Sequence, residues 1–321
     1  MKHRFRSLTW VAMAAAAGAV SLFGTEVRAQ EPGPRGQQAA ASGQQLVAES
    51  ARRVAAEAAI SAEMRYRIDA FGHELVGTGN YLQYGAGPEK LLRLDLRMQV
   101  GDKAATVQEI RGAESYWVRR DVPPLPPSLG RVDLNQLRKS LASGTVPTAG
   151  DVLPQGEWIM LGGLARLVTA LDQNFAFGQP RAEELQFQAV DGKSTVKLPI
   201  WVVVGEWKPD RLAALTAREP GKAKSLPEQL PDRVEMVLGR TEDVLPLFPY
   251  RITYWRTSAA DSKNKKDTPD APPRELLTLE LFNVSRKRID EREFQYQPGD
   301  QDVQNLTPFY VQRYSGETKL R

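Results

Sequence analysis

The chain has 321 residues, of which 41% are hydrophobic and 26% are charged, and it contains no cysteine. This composition is ordinary for a globular protein and excludes collagen-like and wholly disordered chains. Because no cysteine thiol is present, it also excludes disulfide-stapled folds, thiol nucleophiles, thiolate metal sites and a lipid-modified cysteine anchor.

The first 29 residues have the pattern of a secretory signal peptide. Lys2, Arg4 and Arg6 precede an apolar run from Leu8 to Gly24, and a small-x-small cleavage pattern ends at Ala29. The alternative interpretation is an uncleaved membrane anchor. No later segment reaches the ~18–20 apolar residues of a membrane-spanning helix. We therefore expect a soluble mature chain that does not span the membrane and is periplasmic or otherwise extracytoplasmic.

Removal of the signal peptide lowers the formal net charge from +4 to +1. A chain this close to neutral gives no electrostatic support for a nucleic-acid partner, and we expect none. Residues 30–44 are rich in Pro, Gly, Gln and Ala, which predicts a disordered linker. We expect a single domain over residues 45–312 and a short tail over residues 313–321.

A helix and a five-strand meander are predicted at the start of the domain. Good helix formers fill Leu46–Ile60, and their apolar members share one helix face. The spacing of the apolar residues then changes to every second position, and turn residues divide Ala62–Arg120 into consecutive strands. In the clearest strand, apolar and polar residues alternate strictly, so one of its faces must be apolar and the other exposed to water. Its apolar members are Leu92, Leu94, Leu96, Met98 and Val100.

Two segments separate this meander from a second block of strands. The prolines in Asp121–Arg131 lack backbone donors, so we expect a connecting loop of polyproline II character, with a peptide-docking motif as the alternative. A short helix is predicted at Leu134–Leu141, and a long apolar helix at Glu157–Phe175. One face of the long helix carries Leu161, Leu164, Val168, Leu171 and Phe175.

The second block reads as strands with short connections. Strands are predicted at Leu185–Ala189, Val196–Trp207, Val234–Arg240, Tyr250–Arg256, Glu275–Val284 and Arg292–Gln297, and a helix at Pro209–Thr216. The polar segment Ser258–Pro273 predicts a solvated loop. Together the pattern indicates an α+β fold with a curved antiparallel sheet of about ten or eleven strands.

The sequence offers little for catalysis, and we expect no enzyme activity, no cofactor and no metal site. The mature chain has one histidine, His73, so a Ser-His-Asp triad is not indicated and a multi-histidine metal site is excluded. Gly85–Lys90 lacks the spacing of a phosphate-binding loop. Acidic pairs such as Glu109 and Glu114 are expected by chance in a chain with this many carboxylates.

Three stretches resemble the LolA/LolB-like superfamily of exported lipoprotein carriers and related lipid-binding proteins. LGGLARLVTALDQNF at Leu161–Phe175 resembles the apolar insert between the two strand blocks of that family. LFPYRITYWR at Leu247–Arg256 is similar to a late strand of the family. EREFQYQPGDQDVQNLTPFY at Glu291–Tyr310 is similar to its closing strand and the aromatic-Pro-Gly segment that follows.

The resemblance implies an incomplete half β-barrel, with helices that cover its concave apolar face and move aside for acyl chains. It also implies a non-enzymatic protein that binds lipids or lipoproteins and shields their acyl chains. The candidate cavity residues are Leu92, Leu94, Leu96, Met98, Trp158, Leu164, Val168 and Leu171. The same residues also fit an ordinary packed core. In that case the chain is an envelope sensor or scaffold that binds a protein partner through its loops.

Overall fold

Strands make up half of the described chain. The computed structural model describes residues 41–70, 73–100, 103–142, 158–188, 195–216, 230–240, 243–256 and 273–314. Its strands are β1 (Ala59–Ala70), β2 (His73–Tyr84), β3 (Leu91–Val100), β4 (Lys103–Arg111), β5 (Ser115–Asp121), β6 (Ser128–Asp133), β7 (Phe175–Phe177), β8 (Arg181–Gln188), β9 (Thr195–Trp207), β10 (Arg233–Gly239), β11 (Pro249–Arg256), β12 (Arg274–Ser285) and β13 (Gln304–Asn305). Its helices are α1 (Gly43–Ala56), α2 (Leu134–Ala142), α3 (Trp158–Leu161), α4 (Leu164–Asn174), α5 (Pro209–Thr216) and α6 (Thr307–Tyr314).

The described strands form one large curved sheet that does not close on itself. Neighbouring strands follow the order β13-β6-β5-β4-β3-β2-β1-β12-β11-β10-β9-β7, and β8 also pairs with β9. β13 and β6 run parallel, and the other described pairs are antiparallel. The predicted open, curved, mainly antiparallel sheet is confirmed, with 13 strands instead of about ten or eleven.

The two faces of the sheet differ in polarity because side chains alternate along each strand. The apolar face carries Tyr81 and Leu94, and the opposite, polar face carries Arg65 and Arg97. The cross-strand register keeps this division across neighbouring strands. One row on the apolar face contains Tyr66, Leu279, Ile252, Met236 and Val203.

Helices α1, α3 and α4 contact the apolar face and join its hydrophobic core. α1 begins with a capping box, in which Ser42 Oγ accepts from the Gln45 amide and Gln45 Oε1 accepts from the Ser42 amide. The helix therefore starts inside the segment predicted as linker. Its buried side chains, Val47, Ala51 and Val54, belong to the core.

The apolar helix predicted at Glu157–Phe175 is divided into α3 and α4. Gly162 and Gly163 separate the two helices and have φ angles of 140° and 75°. L side chains rarely adopt such angles, so the glycine pair ends the first helix. Phe175 is the first residue of β7.

The predicted connecting loop over Asp121–Arg131 is confirmed only for its proline-rich part. Ser128–Arg131 belong to β6 and pair with β5, so the prediction is wrong there. Ser128 follows the last proline of the segment, and from that point every residue has a backbone donor for the ladder.

The prediction of a strand at Arg292–Gln297 is also wrong. Glu291–Phe294 forms a turn of 3-10 helix. The alternating aromatic residues instead pack on the meander, with Phe294 stacked on Tyr84 and Tyr296 stacked on Trp117. The aromatic residues alternate here because they pack on strands of the meander, and not because the segment pairs within the sheet.

Several predicted segments lie outside the described residues. They are the signal peptide, residues 30–40 of the linker, most of the loop Ser258–Pro273 and the tail from residue 315 onward. Within the described part of the chain, no helix has the length and hydropathy needed to cross a membrane.

Candidate functional site

The eight residues predicted to line a cavity belong to one hydrophobic core between the sheet and its helices. They come from three elements: β3 supplies Leu92, Leu94, Leu96 and Met98, α3 supplies Trp158, and α4 supplies Leu164, Val168 and Leu171. Seven of them are buried in this core, and Met98 is half-buried against it. The structure brings the predicted residues together around side chains that pack on each other.

The local sequence explains why these residues converge. Alternation along β3 sends Leu92, Leu94 and Leu96 to the apolar face, while Arg93 and Arg97 point to the opposite face. On α4, positions 164, 168 and 171 follow the spacing of one helix face. The two apolar surfaces then face each other.

The start of α4 lies directly on β2 and β3. A Cβ placed on Gly163 would lie 2.6 Å from Tyr81 Oη and 3.0 Å from both methyl carbons of Leu92. Gly163 also has φ 75° and ψ −154°, a backbone region that is essentially restricted to glycine. The ring of Trp158, one helix earlier, lies 5.7 Å from the ring of Tyr81. Glycine is therefore required here by both space and backbone conformation.

A buried chain of hydrogen bonds joins α4 to α1 through β2. The Leu164 amide donates to Tyr81 Oη at 3.1 Å, and Tyr81 Oη donates to Gln83 Oε1 at 2.9 Å. Gln83 Nε2 in turn donates to the carbonyl oxygens of Val54 and Glu57 at the end of α1. Burial raises the pKa of the Tyr81 hydroxyl far above its ordinary value, so it remains protonated and able to donate.

Lys90 holds the C-terminal end of α1. Its ammonium Nζ donates to the carbonyl oxygens of Val54, Ala55 and Glu57 at 3.3, 2.5 and 3.0 Å, although the residue is only 4% exposed. A cation at this position also interacts favourably with the helix dipole. Burial lowers the pKa of Lys90 from 10.5 to about 8, and the charge of Glu57 opposes that shift.

Arg111 is a second buried cation beside this network. Its Nη1 donates to the Lys90 carbonyl oxygen at 2.6 Å. Burial lowers the pKa of Arg111 to about 10, and the charge of Arg138 acts in the same direction. Both cations therefore hold backbone near the end of α1.

The C-terminal end of α4 is attached by different contacts. Gln44 Nε2 donates to the Asp172 carbonyl oxygen at 3.0 Å and to its carboxylate at 2.5 Å. Lys208 Nζ donates to the same carbonyl oxygen at 2.7 Å. The chain then continues from Asn174 directly into β7, so this end of α4 is fixed to the sheet.

Sequence reasoning missed the polar members of the site, namely Tyr81, Gln83, Lys90 and Arg111. One available signal was that Tyr81 and Gln83 share a face with apolar residues of β2, which suggests a buried glutamine with a partner. The identity of that partner was not readable, because the acceptors are backbone carbonyls of a helix 26–29 residues earlier.

The site holds apolar surface and structural hydrogen bonds. Among the described residues, no group of three His, Cys, Asp or Glu side chains is placed to hold a metal ion. The arrangement is therefore suited to burying apolar surface between the sheet and the layer of helices.

No family model matches the chain, and the comparison with curated proteins finds no match. Among solved structures, it is similar to a DUF1329 family protein from Desulfovibrio piger, with 12% identity and a TM-score of 0.29, over 78% of this chain and 95% of that one. It is also similar to a "putative outer membrane lipoprotein-sorting protein domain" from Vibrio parahaemolyticus, with 10% identity and a TM-score of 0.30, over 79% of this chain and 96% of that one. At TM-scores this low, neither neighbour defines a site in this chain.

Proposed function

We propose that this chain is an exported, non-enzymatic carrier that binds the acyl chains of lipids or lipoproteins between the apolar face and the layer formed by α3 and α4. The observation that carries this proposal is the unequal attachment of α4. Its C-terminal end is fixed through Asp172 and β7, whereas its N-terminal end follows two glycines and rests on apolar side chains and the Tyr81 hydroxyl. Such a helix is able to swing about its C-terminal end.

The energy of that movement matches the chemistry of an acyl chain. Trp158, Leu164, Val168 and Leu171 are at most 2% exposed. Ile159, Met160 and Leu167 of the same two helices are equally buried. Fully burying each such side chain is worth about 1.5–3 kcal/mol, so exposing all seven costs about 10–21 kcal/mol. A buried methylene contributes about 0.8 kcal/mol, so the roughly 13–26 methylenes of one or two acyl chains offset this cost.

The hydrogen bond at the start of α4 is small by comparison. A net contribution of about 1 kcal/mol is typical of one intramolecular hydrogen bond. Tyr81 keeps its bond to Gln83 after the Leu164 amide leaves, so opening does not strand the hydroxyl. Apolar burial therefore dominates the balance between the closed and open forms.

The second candidate function is an envelope sensor or scaffold that binds a protein partner. The observation that favours it is the close packing of seven of the eight predicted cavity residues in the core. A scaffold requires no movement of α4 and takes up no lipid, so a lipid-binding experiment separates the two candidates.

The test is quenching of tryptophan fluorescence by a fatty acid that carries a doxyl group on its chain. Trp158 lies in α3 within the core, whereas Trp255 lines a groove on the polar face. We expect saturable quenching in the wild-type chain, most of which is lost in Trp158→Phe and retained in the matched control Trp255→Phe. Native mass spectrometry of the purified chain should show co-purified acyl species.

Two results would reject the carrier. Absence of saturable quenching at any chain length would favour the scaffold. Equal loss of quenching in the two tryptophan variants would place the acyl chain outside the α3–α4 layer.

A further inference from the structure

Strands β2 and β3 part from each other near one end of the sheet. Their described pairing stops at Gly77 and Met98. Beyond that point β2 stays paired with β1 as far as His73, and β3 stays paired with β4 as far as Val100. The two hairpins therefore diverge, and a pocket of about 440 Å³ lies between them. We call it the fork pocket.

The fork pocket carries two cations. Arg97 and Lys103 line it together with Thr78 and Gln99. Arg97 lies on the polar face, whereas Lys103 pairs with Val100 and lies on the other face, so the two cations flank the fork from opposite sides. None of its described lining residues is Asp or Glu. A volume in the range of about 300–1,000 Å³ is ordinary for a small-ligand site. The pocket is thus large enough for a ligand, and its described lining residues have net positive charge.

The register of the sheet leaves Arg97 without a carboxylate opposite it. Its cross-strand neighbours are Thr78 and Thr106. By contrast, Arg65 and Arg251 on the same face both lie opposite Glu280. Arg65 and Arg251 thus have an acid opposite them, whereas Arg97 at the fork has none.

A second pocket on the polar face differs from the fork pocket in its balance of charges. This groove has a volume of about 400 Å³ and contains three arginines and three glutamates among its described lining residues. Arg65 contacts Glu280 at 3.4 Å and Arg251 contacts Glu235 at 3.5 Å. Its cations are matched by acids within the sheet, so the groove offers an anion little, whereas the fork pocket offers two cations.

The fork also connects the polar side of the sheet with the core. Met98 lines the pocket and at the same time packs against the hydrophobic core. It lies over Gly77, where an added Cβ would approach Met98 Cγ to 2.8 Å. Val76, on the other side of the fork, is 45% exposed. Met98 thus fills the space left by the missing side chain of Gly77, and its flexible side chain links the fork with the core.

From this geometry we infer that the fork pocket binds the phosphate group of an anionic lipid, with Arg97 and Lys103 as donors and the acyl chain directed past Met98. This inference rests on the proposed carrier function and names the class of cargo. Arginine and lysine are the usual partners of phosphate oxygens, and an amphiphile matches a pocket that combines two cations with the apolar side chain of Met98.

The experiment compares short-chain phosphatidylglycerol and phosphatidylcholine with identical acyl chains, kept below micelle-forming concentrations. Binding to the full mature chain is measured by calorimetry at 0.15 M and 0.5 M salt, with inorganic phosphate as a separate titrant. The variant is Arg97→Gln/Lys103→Gln. The matched control is Arg119→Gln, which removes an exposed arginine from the polar face of β5 outside the fork pocket.

We expect phosphatidylglycerol to bind at least about tenfold more tightly than phosphatidylcholine. Both lipids offer a phosphate to Arg97 and Lys103, but these two residues repel the choline cation of phosphatidylcholine. The double variant should lose that advantage, Arg119→Gln should keep it, and higher salt should reduce it. Inorganic phosphate should bind weakly, because it lacks the acyl chain.

Three further outcomes would overturn the inference in different ways. Equal affinity for the two lipids, unchanged in the double variant, rejects the headgroup site but leaves the carrier function standing. Failure of both lipids to bind the wild-type chain rejects the carrier function and the headgroup site with it. If inorganic phosphate binds as tightly as the anionic lipid, the pocket serves a free anion and the lipid assignment is wrong.

Discussion

Replacement of Tyr81 by phenylalanine should loosen the N-terminal end of α4 while leaving the ring packing in place. The hydroxyl accepts a hydrogen bond from the Leu164 amide and donates one to Gln83 Oε1. Removing it strands a buried donor and a buried acceptor, and each unpaired group costs about 1–3 kcal/mol. If the donor at Leu164 is solvated when α4 opens, opening becomes easier by about that amount, or about 5- to 150-fold.

Hydrogen exchange measured by mass spectrometry reports this opening directly. In Tyr81→Phe, amides at the start of α4 should exchange faster by a factor within that range, and apparent fatty-acid affinity should rise because the competent form is more populated. The control is Tyr116→Phe, which removes another buried hydroxyl, hydrogen-bonded to Glu109. It should lower the free energy of unfolding without a selective change in α4.

A similar loss of global stability in the two tyrosine variants, with no difference between them in the exchange of α4, would contradict this prediction. That result would mean that Tyr81 stabilises the core as a whole and does not hold the helix. Increased exchange with unchanged fatty-acid affinity would separate the movement of α4 from binding.

Three other perturbations test neighbouring parts of the site. Gly163→Ala should lower the free energy of unfolding, measured by urea denaturation, by about 2 kcal/mol or more, since the added Cβ meets Tyr81 and Leu92 in a strained backbone region. The control is Gly112→Ala, where the nearest contact of the added Cβ is 3.6 Å away. Lys90→Met should cost about 1–3 kcal/mol in the same assay, because the Ala55 carbonyl loses a buried donor. The wild-type chain should also gain stability from Lys90 between about pH 8 and 10.5, since the unfolded state holds that proton longer than the folded state, and Lys90→Met should lack this gain.

The sequence predicted the sheet well where the pattern depends on neighbouring residues. Alternation on β3 placed Leu92 and Leu94 on the buried side and Arg93 on the other, and the structure agrees because one face is covered. The short helix over Leu134–Leu141 and the helix over Pro209–Thr216 were also identified from local pattern.

Prediction failed where the determining contact lies far along the chain. The break at Gly162 and Gly163 was hidden because the apolar spacing of Leu161, Leu164 and Val168 continues across it. β6 was missed because its partners are β5 and the distant β13, and no local period records that pairing.

The polar part of the candidate site was unpredictable for a related reason. Lys90 and Gln83 look like surface residues from their type, yet both are buried because α1 delivers backbone carbonyls to them. Such partners have no side-chain signature in the sequence. The apolar candidates, in contrast, could be chosen by period alone, and they do share one core.

The fork pocket and the helix layer are joined by a single stretch of sheet, which sets a length for the cargo. β3 runs from Met98 at the fork to Leu92 beneath Gly163, a span of six residues or about 20 Å at about 3.3 Å each. One acyl chain fills about half of a hydrocarbon core that is ~30 Å thick. A lipid bound at Arg97 as proposed would therefore reach most of the way along β3 towards the N-terminal end of α4. Cargo of this length would couple headgroup recognition at one end of the strand to displacement of the helix at the other.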